Sequence, residues 1–482
     1  PITGLGKWEK LIRMRLNNIE RFELGPPSSV SRRIFAAALT VGSLTMISKI
    51  AATLKETVLA RQFGVSDGLD AFLIAYIVPS AAINIIAGAI SLALVPTYIQ
   101  VRERDGREAA QQLLGSITSW GAVMLVGVSV LLAAATPWVL PHLASGFGPD
   151  KIALTRSLFW MLLPVLLVTG LSATWGAILN AGERFVLAAI VPTITPLVIM
   201  MLVFVGSIPW GVHSIAVGTV LGSVVEASLL AWGLHHQGIS VLPRWFNLSR
   251  EVKQVIRQYA PLTVGCLLTS SSTVVDQCFA AAAGSGSVSA LNYGGKIASV
   301  LSGVGAMAVA TAVLPYFSQM AAEEDWKGLR RVLRVYCGLI LAVSIPVTLI
   351  LCLGSPLLIR LLFQRGAFTA DDTLLVASVQ RFYLLQIPFF TLGMLCVRAV
   401  SALKANYILM WVAAITLGVN VALDYLFMKW YGVAGIALST AVVYLVSFCC
   451  IAGMLLRLLG KLERQPERTS ADEACVTRRL AE

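Results

Sequence analysis

Three lysines interrupt or border the long apolar runs of this sequence, and their chemistry points to an anionic ligand. Lys49 and Lys55 fall at the end of one run, and Lys296 follows the start of another. An ionisable group at the centre of a membrane helix costs about 2.5–3.5 kcal/mol, so a chain that keeps one there has a use for it. Lysines that face one cleft would bind a phosphate or diphosphate as point charges. The alternative is that each ammonium group reaches the nearer membrane surface, or that Lys55 lies in a loop.

A second set of residues carries oxygen ligands. Asn420 and Asp424 are four positions apart and therefore share one face of a helix. Asp276 lies within another apolar run and Thr440 within a third. Hard oxygen ligands from three helices suit a hard cation such as Na⁺, or a proton held on a carboxylate. The alternative is that Asp276 or Asp424 forms a buried salt bridge with Lys296.

Composition identifies the elements that must position these groups. The chain has 482 residues, of which 57% are hydrophobic and 13% charged, and its mean hydropathy is +0.80. Soluble domains carry about 25% charged residues, so we predict an integral membrane protein. Runs long enough to cross a bilayer lie at 34–54, 70–100, 112–140, 151–180, 185–207, 212–236, 252–283, 287–320, 330–353, 371–403, 406–429 and 432–457.

The distribution of positive charge predicts the orientation. Most Lys and Arg precede the first run, follow the last one, or lie in the loops on that same side. The positive-inside rule then places both termini in the cytoplasm. The same rule explains the net charge of +12 without a nucleic-acid partner. Residues 5–22 have the pattern of an amphipathic helix on the membrane surface, with a disordered basic tail as the alternative. No signal peptide precedes the first run, so we expect that run to be its own insertion signal.

The sequence lacks the motifs of the common cofactor sites. The cysteines show no C-x-x-C spacing and the histidines no H-E-x-x-H motif, so no metalloenzyme centre is expected. The Gly284-Ser-Gly286-Ser287 turn has neither the strand nor the Lys-Ser/Thr of a phosphate-binding P-loop. We therefore predict a transporter without a resident cofactor, apart from a Na⁺ ion.

The two halves of the chain are related to each other. The segment 210–219, WGVHSIAVGT, matches 431–440, YGVAGIALST. Because each half has an even number of spans, the repeats are parallel and enclose a cleft between them, as in alternating-access transporters. We predict an all-α membrane protein of twelve helices. Its parts are an N-terminal segment 1–33, a six-helix lobe 34–240, a linker 241–251, a second lobe 252–458 and a tail 459–482.

Specific motifs resemble one family. Ser48-Lys49-Ile50, Lys55-Glu56, Asp70-Ala71-Phe72 and the segment 363–369, FQRGAFT, are similar to the MviN/MurJ family of lipid-linked oligosaccharide flippases. This family is part of the multidrug/oligosaccharidyl-lipid/polysaccharide exporter superfamily, and the resemblance covers roughly residues 34–458. It implies a central cationic cavity and a polyprenyl diphosphate carrying a sugar unit as substrate.

The resemblance also assigns roles to residues. It implies that the substrate contacts Lys49, Lys55, Asp70 and Lys296, and that Na⁺ binds Asp276, Asn420, Asp424, Thr440 and the carbonyl group of Ile436. Arg398 is a further candidate for substrate binding, because it is an ionisable group within an apolar run. The three cavity lysines stand where lipid II flippases of the family usually have arginines, which keeps the charge but loses bidentate geometry. Because a polar tail follows the last apolar run, we expect no counterpart here of the two further C-terminal helices of those flippases.

We therefore expect a flippase of the bacterial cytoplasmic (inner) membrane, with both termini in the cytoplasm. Its cargo is an undecaprenyl-diphosphate-linked saccharide, either the peptidoglycan precursor or a surface polysaccharide unit. Expected partners are this glycan lipid, membrane lipids and glycan-assembly enzymes. An ion-coupled multidrug exporter and a membrane glycan polymerase or ligase are the alternatives, and short outward loops argue against the enzyme.

Overall fold

The computed structural model describes residues 29–181, 185–240 and 250–481, and every regular element in these ranges is helical. The predicted N-terminal amphipathic helix and most of the predicted linker lie outside the described residues. The helices are α1 (Ser29–Phe63), α2 (Asp67–Arg104), α3 (Gly106–Leu143), α4 (Pro149–Ala181), α5 (Phe185–Ile190), α6 (Ile194–Trp210), α7 (His213–His235), α8 (Arg250–Ala282), α9 (Ser287–Ala322), α10 (Trp326–Phe363), α11 (Ala370–Leu384), α12 (Gln386–Ala402), α13 (Tyr407–Tyr431) and α14 (Val433–Ala481).

Each predicted apolar run corresponds to one helix or to two consecutive helices. The fifth run is broken by the 3₁₀ turn Val191–Thr193 between α5 and α6, and the tenth is divided between α11 and α12. Among the described residues, ten helical segments are long and apolar enough to cross a membrane, which confirms an all-α membrane fold. The count of twelve spans stays a prediction, because α1 and α8 do not meet that criterion. Helix α1 carries Lys49 and Lys55, and α8 carries the hydroxyl-rich segment discussed below.

The same helix pairings recur in both halves. In the first half α2 packs on α4, α4 on α7 and α6 on α7. In the second half α9 packs on α11 and α12, α12 on α14 and α13 on α14. The halves join mainly where α2 packs along α8. The lobe boundaries stay a prediction, since the largest apolar cluster extends from α2 onto Val252 and Val255 of α8.

The two halves meet at the end of the bundle where α1 ends and α2 begins, which we call the sealed end. Here the Ala367 N–H donates to the Arg61 carbonyl over 2.8 Å. The turn after α1 needs glycine, because Gly64 has φ +57° and an added Cβ would lie 2.5 Å from the Ala367 carbonyl oxygen. The turns 63–67, 282–287 and 363–370 therefore belong to one layer.

Candidate functional site

Two of the three predicted cavity lysines share one buried carboxylate. Glu56 is only 4% exposed, and its Oε1 lies 2.9 Å from Lys55 Nζ and 2.9 Å from Lys296 Nζ. Asn292 of α9 donates to Glu56 Oε2 over 3.4 Å. Lys55 and Glu56 belong to α1 and Lys296 to α9, so this ion cluster joins the two halves of the chain.

The position of the cluster follows from helix geometry. α1 continues to Phe63, so Lys55 lies within the helix and not in a loop. At a rise of 1.5 Å per residue, Lys55 is about 12 Å from the sealed end, and Lys296 is about 14 Å beyond the start of α9. Both ammonium groups are therefore at similar depth, which explains why one carboxylate reaches both. Lys296 pairs with Glu56, and no ion pair joins it to Asp276 or Asp424.

Lys49 lies two turns further from the sealed end on α1. Its side chain is exposed, and no ion pair involves it among the described residues. We call Lys49 together with this ion cluster the lysine cluster. Its three lysines and Glu56 carry a formal charge of +2. A positively charged surface of this kind attracts an anionic head group, and the partly exposed lysines remain accessible to it.

Asp70 is built into the sealed end. It is fully buried, and its Oδ2 accepts from Lys151 Nζ at 2.9 Å and from the Gly286 N–H at 2.8 Å. Its Oδ1 accepts from the Ser289 N–H at 2.8 Å. A carboxylate at this point favours the N-terminus of α9, where the first backbone N–H groups have no partner within the helix. A role of Asp70 in substrate binding stays a prediction, since both oxygens are engaged within the protein.

Arg398 lies on α12, apart from the lysine cluster in sequence. Its side chain is partly buried, and its Nε is buried without a hydrogen-bond partner in the described part of the chain. Nothing in the contacts of the described residues joins it to Glu56 or to the lysines. Its assignment to the substrate also stays a prediction.

The structure brings together the residues of the predicted cation site. Asn420 Nδ2 donates to Asp276 Oδ1 over 2.9 Å, and Thr440 Oγ1 lies 3.5 Å from Asp276 Oδ2. Thr440 also donates to the Ile436 carbonyl over 3.0 Å. These contacts join α8, α13 and α14 in the second half. Helical spacing alone could place only Asn420 and Asp424 together, because they share one helix, whereas the other members of the site were expected from the family resemblance.

Asp424 provides the test of whether this site suits a cation. It is fully buried, with the Ser439 hydroxyl group beside its carboxylate, yet neither of its oxygens, nor Asn420 Oδ1, has a hydrogen bond of good geometry in the described part of the chain. Asp424 lies close enough to Asp276 for the two carboxylates to interact. An unpaired buried carboxylate is costly unless a proton or a cation compensates it. The donor set therefore fits a small hard cation or a proton.

Two functional contacts were not assigned a role from the sequence. In the sequence, Glu56 stands out only as the neighbour of Lys55, and that adjacent lysine is the available signal for an ion pair. Lys151 lies near the start of an apolar run and has no predicted role, although its Nζ bridges Asp67 and Asp70 at the sealed end. No sequence signal links Lys151 to Asp70, because the two residues are far apart in the chain.

Comparison with known proteins gives a consistent family relationship. The family model described as "Lipid II flippase MurJ" matches residues 59–477. A probable lipid II flippase MurJ from Synechocystis sp. is 28% identical over 458 residues, which cover 91% of this chain and 84% of the relative. The lipid II flippase MurJ of Burkholderia cenocepacia is 26% identical over 365 residues, or 73% of this chain and 70% of the relative.

Solved structures show the same fold. A lipid II flippase MurJ in an inward closed conformation superposes with a TM-score of 0.76 at 24% identity, covering 88% of this chain and 90% of that one. An inward-facing multidrug resistance transporter of the MATE family superposes with a TM-score of 0.71 at 15% identity, covering 89% and 99%. Both likenesses concern the fold alone.

Proposed function

Because this chain belongs to the lipid II flippase MurJ family, we propose that it moves a polyprenyl-diphosphate-linked saccharide between the leaflets of the bacterial cytoplasmic membrane. The observation that carries this proposal is the ion cluster of Lys55, Glu56 and Lys296. Lys49 lies about 9 Å further along α1 from the sealed end. The ion cluster places positive charge from both halves at one depth in the membrane.

In the proposed mechanism the lysines hold the diphosphate while the lipid tail remains in the bilayer. Lysine suits this role because its compact ammonium group attracts phosphate without a fixed orientation. The two halves then rock about the seam between α2 and α8, so that the bound head group becomes accessible from the other side. The contacts of Asp70 with the backbone N–H groups of Gly286 and Ser289, which cross between the halves, would have to break in this step.

A cation would bind at the candidate site in the second half of the chain. Asp276, Asn420, Asp424, Thr440 and the Ile436 carbonyl would hold it, and its charge would compensate the buried carboxylates. Because these groups join α8, α13 and α14, they would keep the three helices together when the cation is bound. Na⁺ and a proton remain the two candidates.

The proposed orientation follows the positive-inside rule. The end of the bundle opposite the sealed end carries most of the Lys and Arg of the loops, so we place it, with both termini, in the cytoplasm. Glycan-assembly enzymes are the proposed partners, since they make or consume the transported lipid.

The test is reconstitution of the full chain in vesicles with fluorescent undecaprenyl-diphosphate-linked sugars, followed by measurement of leaflet accessibility. We expect transfer by the wild-type protein, and loss of transfer in Lys49→Ala and Lys296→Ala variants that still insert. The matched control is Lys327→Ala, which removes an equal charge from the start of α10. Normal transfer in both cavity variants would contradict the proposal. Export of cationic drugs without lipid transfer would favour the exporter alternative, and extension or transfer of the glycan would favour the enzyme.

A further inference from the structure

A cavity of about 280 Å³ lies between α2 and α8, where the two halves join. Four residues of each helix line it, at i, i+3, i+4 and i+7 positions that start at Ile77 in α2 and at Cys266 in α8. Each set therefore forms one helical face. The polar members are Ser80, Asn84, Thr269, Ser270 and Thr273.

Three of these polar groups are free to bind a ligand. Asn84, Ser270 and Thr273 form no side-chain hydrogen bond within the described part of the chain. In contrast, Ser80 donates to the Ile77 carbonyl over 2.8 Å, and Thr269 donates to the Cys266 carbonyl over 3.0 Å. Ser and Thr in helices commonly bond to their own backbone in this way. Asn84 and Thr273 are exposed and Ser270 is partly buried, so their polar groups are accessible to a ligand that enters the cavity.

The side chains that line the cavity are uncharged. No lining residue is an acid or a base, whereas the lysine cluster is cationic. Amide and hydroxyl groups that both donate and accept hydrogen bonds suit a neutral polyhydroxyl ligand. They offer no compensating charge to a carboxylate or an amine, which would therefore be left unpaired if it entered the cavity.

The depth of the cavity matches that of the lysines. By helix rise, Ile77 and Asn84 lie about 15 and 26 Å from the start of α2, and Thr273 and Cys266 about 14 and 24 Å from the end of α8. Both helices thus place the cavity at about 14–25 Å from the sealed end. Lys55 and Lys296 lie at the near limit of this range and Lys49, at about 21 Å, within it.

We propose that this cavity is the saccharide subsite of the transported lipid, in which Asn84, Ser270 and Thr273 hydrogen-bond the hydroxyl groups of a neutral sugar. This inference rests on the proposed flippase function. It adds that the sugar unit, and not a charged peptide attached to it, is what the cavity recognises. Since α8 also carries Asp276, one turn beyond Thr273, the subsite and the candidate cation site share a helix.

The test measures affinity of the purified full chain for three probes: undecaprenyl diphosphate, the same lipid carrying a disaccharide, and lipid II with its peptide. We expect Asn84→Leu and Thr273→Val each to weaken binding of both sugar-bearing lipids by about 2- to 12-fold, the range of one neutral hydrogen bond. Binding of the sugar-free lipid is expected to be unchanged.

Two controls separate this inference from the proposed function. Ser271→Ala removes a hydroxyl from the same helix that donates to the Leu267 carbonyl over 2.8 Å, and it is expected to leave all three affinities unchanged. Lys296→Ala is expected to weaken all three. An equal loss for sugar-free and sugar-bearing lipids in the subsite variants, or a loss confined to lipid II, would overturn the saccharide subsite. Wild-type protein that binds none of the lipids would instead overturn the flippase function.

Discussion

Replacement of Glu56 by glutamine should strengthen the binding of diphosphate, because Glu56 competes with the ligand for two lysines. The substitution keeps the shape of the side chain and raises the formal charge of the lysine cluster from +2 to +3. At 2.9 Å and an effective dielectric constant near 20, each ion pair has a Coulomb energy of about 6 kcal/mol. Desolvation and side-chain ordering offset most of this energy, which leaves about 1 kcal/mol for a partly exposed pair.

Two such pairs correspond to about 2 kcal/mol, or a gain in affinity of at most about 30-fold. We expect this gain for inorganic pyrophosphate and for undecaprenyl diphosphate, measured by titration calorimetry in detergent at low salt. The gain should decline as salt is added, because the lysines are 21% and 31% exposed. Transfer between leaflets should become slower, since the more tightly held head group is released less readily.

Two variants serve as controls for this prediction. Glu56→Asp keeps the charge and should leave affinity within a few-fold of wild type. Glu323→Gln makes the same change of charge at an exposed site, where Gln319 is the partner, and it should have no effect. Weaker binding in a folded Glu56→Gln variant would refute the reasoning, because it would mean that Glu56 serves to hold the lysines in place.

Three further predictions concern stability and ligand dependence. Asp70→Asn should destabilise the protein by about 1.5–3 kcal/mol, the range of a hydrogen bond to a charged group, because Lys151 then keeps only the more exposed Asp67 as its carboxylate partner; an unchanged thermal midpoint in detergent would contradict this. Na⁺, compared with choline at equal ionic strength, should raise the thermal midpoint of the wild type but not of Asp424→Asn, and an equal response of both would argue against the site. Gly286→Ala should lower the free energy of unfolding by about 1–2 kcal/mol, since its φ of +76° is strained for any residue with a Cβ. Gly88→Ala, in a helix with no atom within 4 Å of the added Cβ, should be neutral or stabilising by up to about 1 kcal/mol, and equal effects of the two substitutions would refute the argument.

Composition and hydropathy are enough to establish the class of fold, and the sequence motifs are enough to indicate the family. Hydropathy alone places the apolar runs, because each must cover about 30 Å of hydrocarbon with a helix of roughly 20 residues. The segments around Lys49, Lys55 and Asp70 then carried the resemblance to the flippase family. The helix shared by Asn420 and Asp424 likewise followed from spacing.

Which charged residues form ion pairs, in contrast, depends on how distant helices pack against each other. Glu56 and Lys296 lie on α1 and α9, and Lys151 and Asp70 on α4 and α2, so no local periodicity could pair them. Local periodicity likewise does not predict the cavity between α2 and α8. In the sequence, its hydroxyl-bearing residues look like an ordinary polar stretch of one helix. The reason is that helix spacing fixes which residues share a face, whereas the packing of distant helices fixes which faces meet.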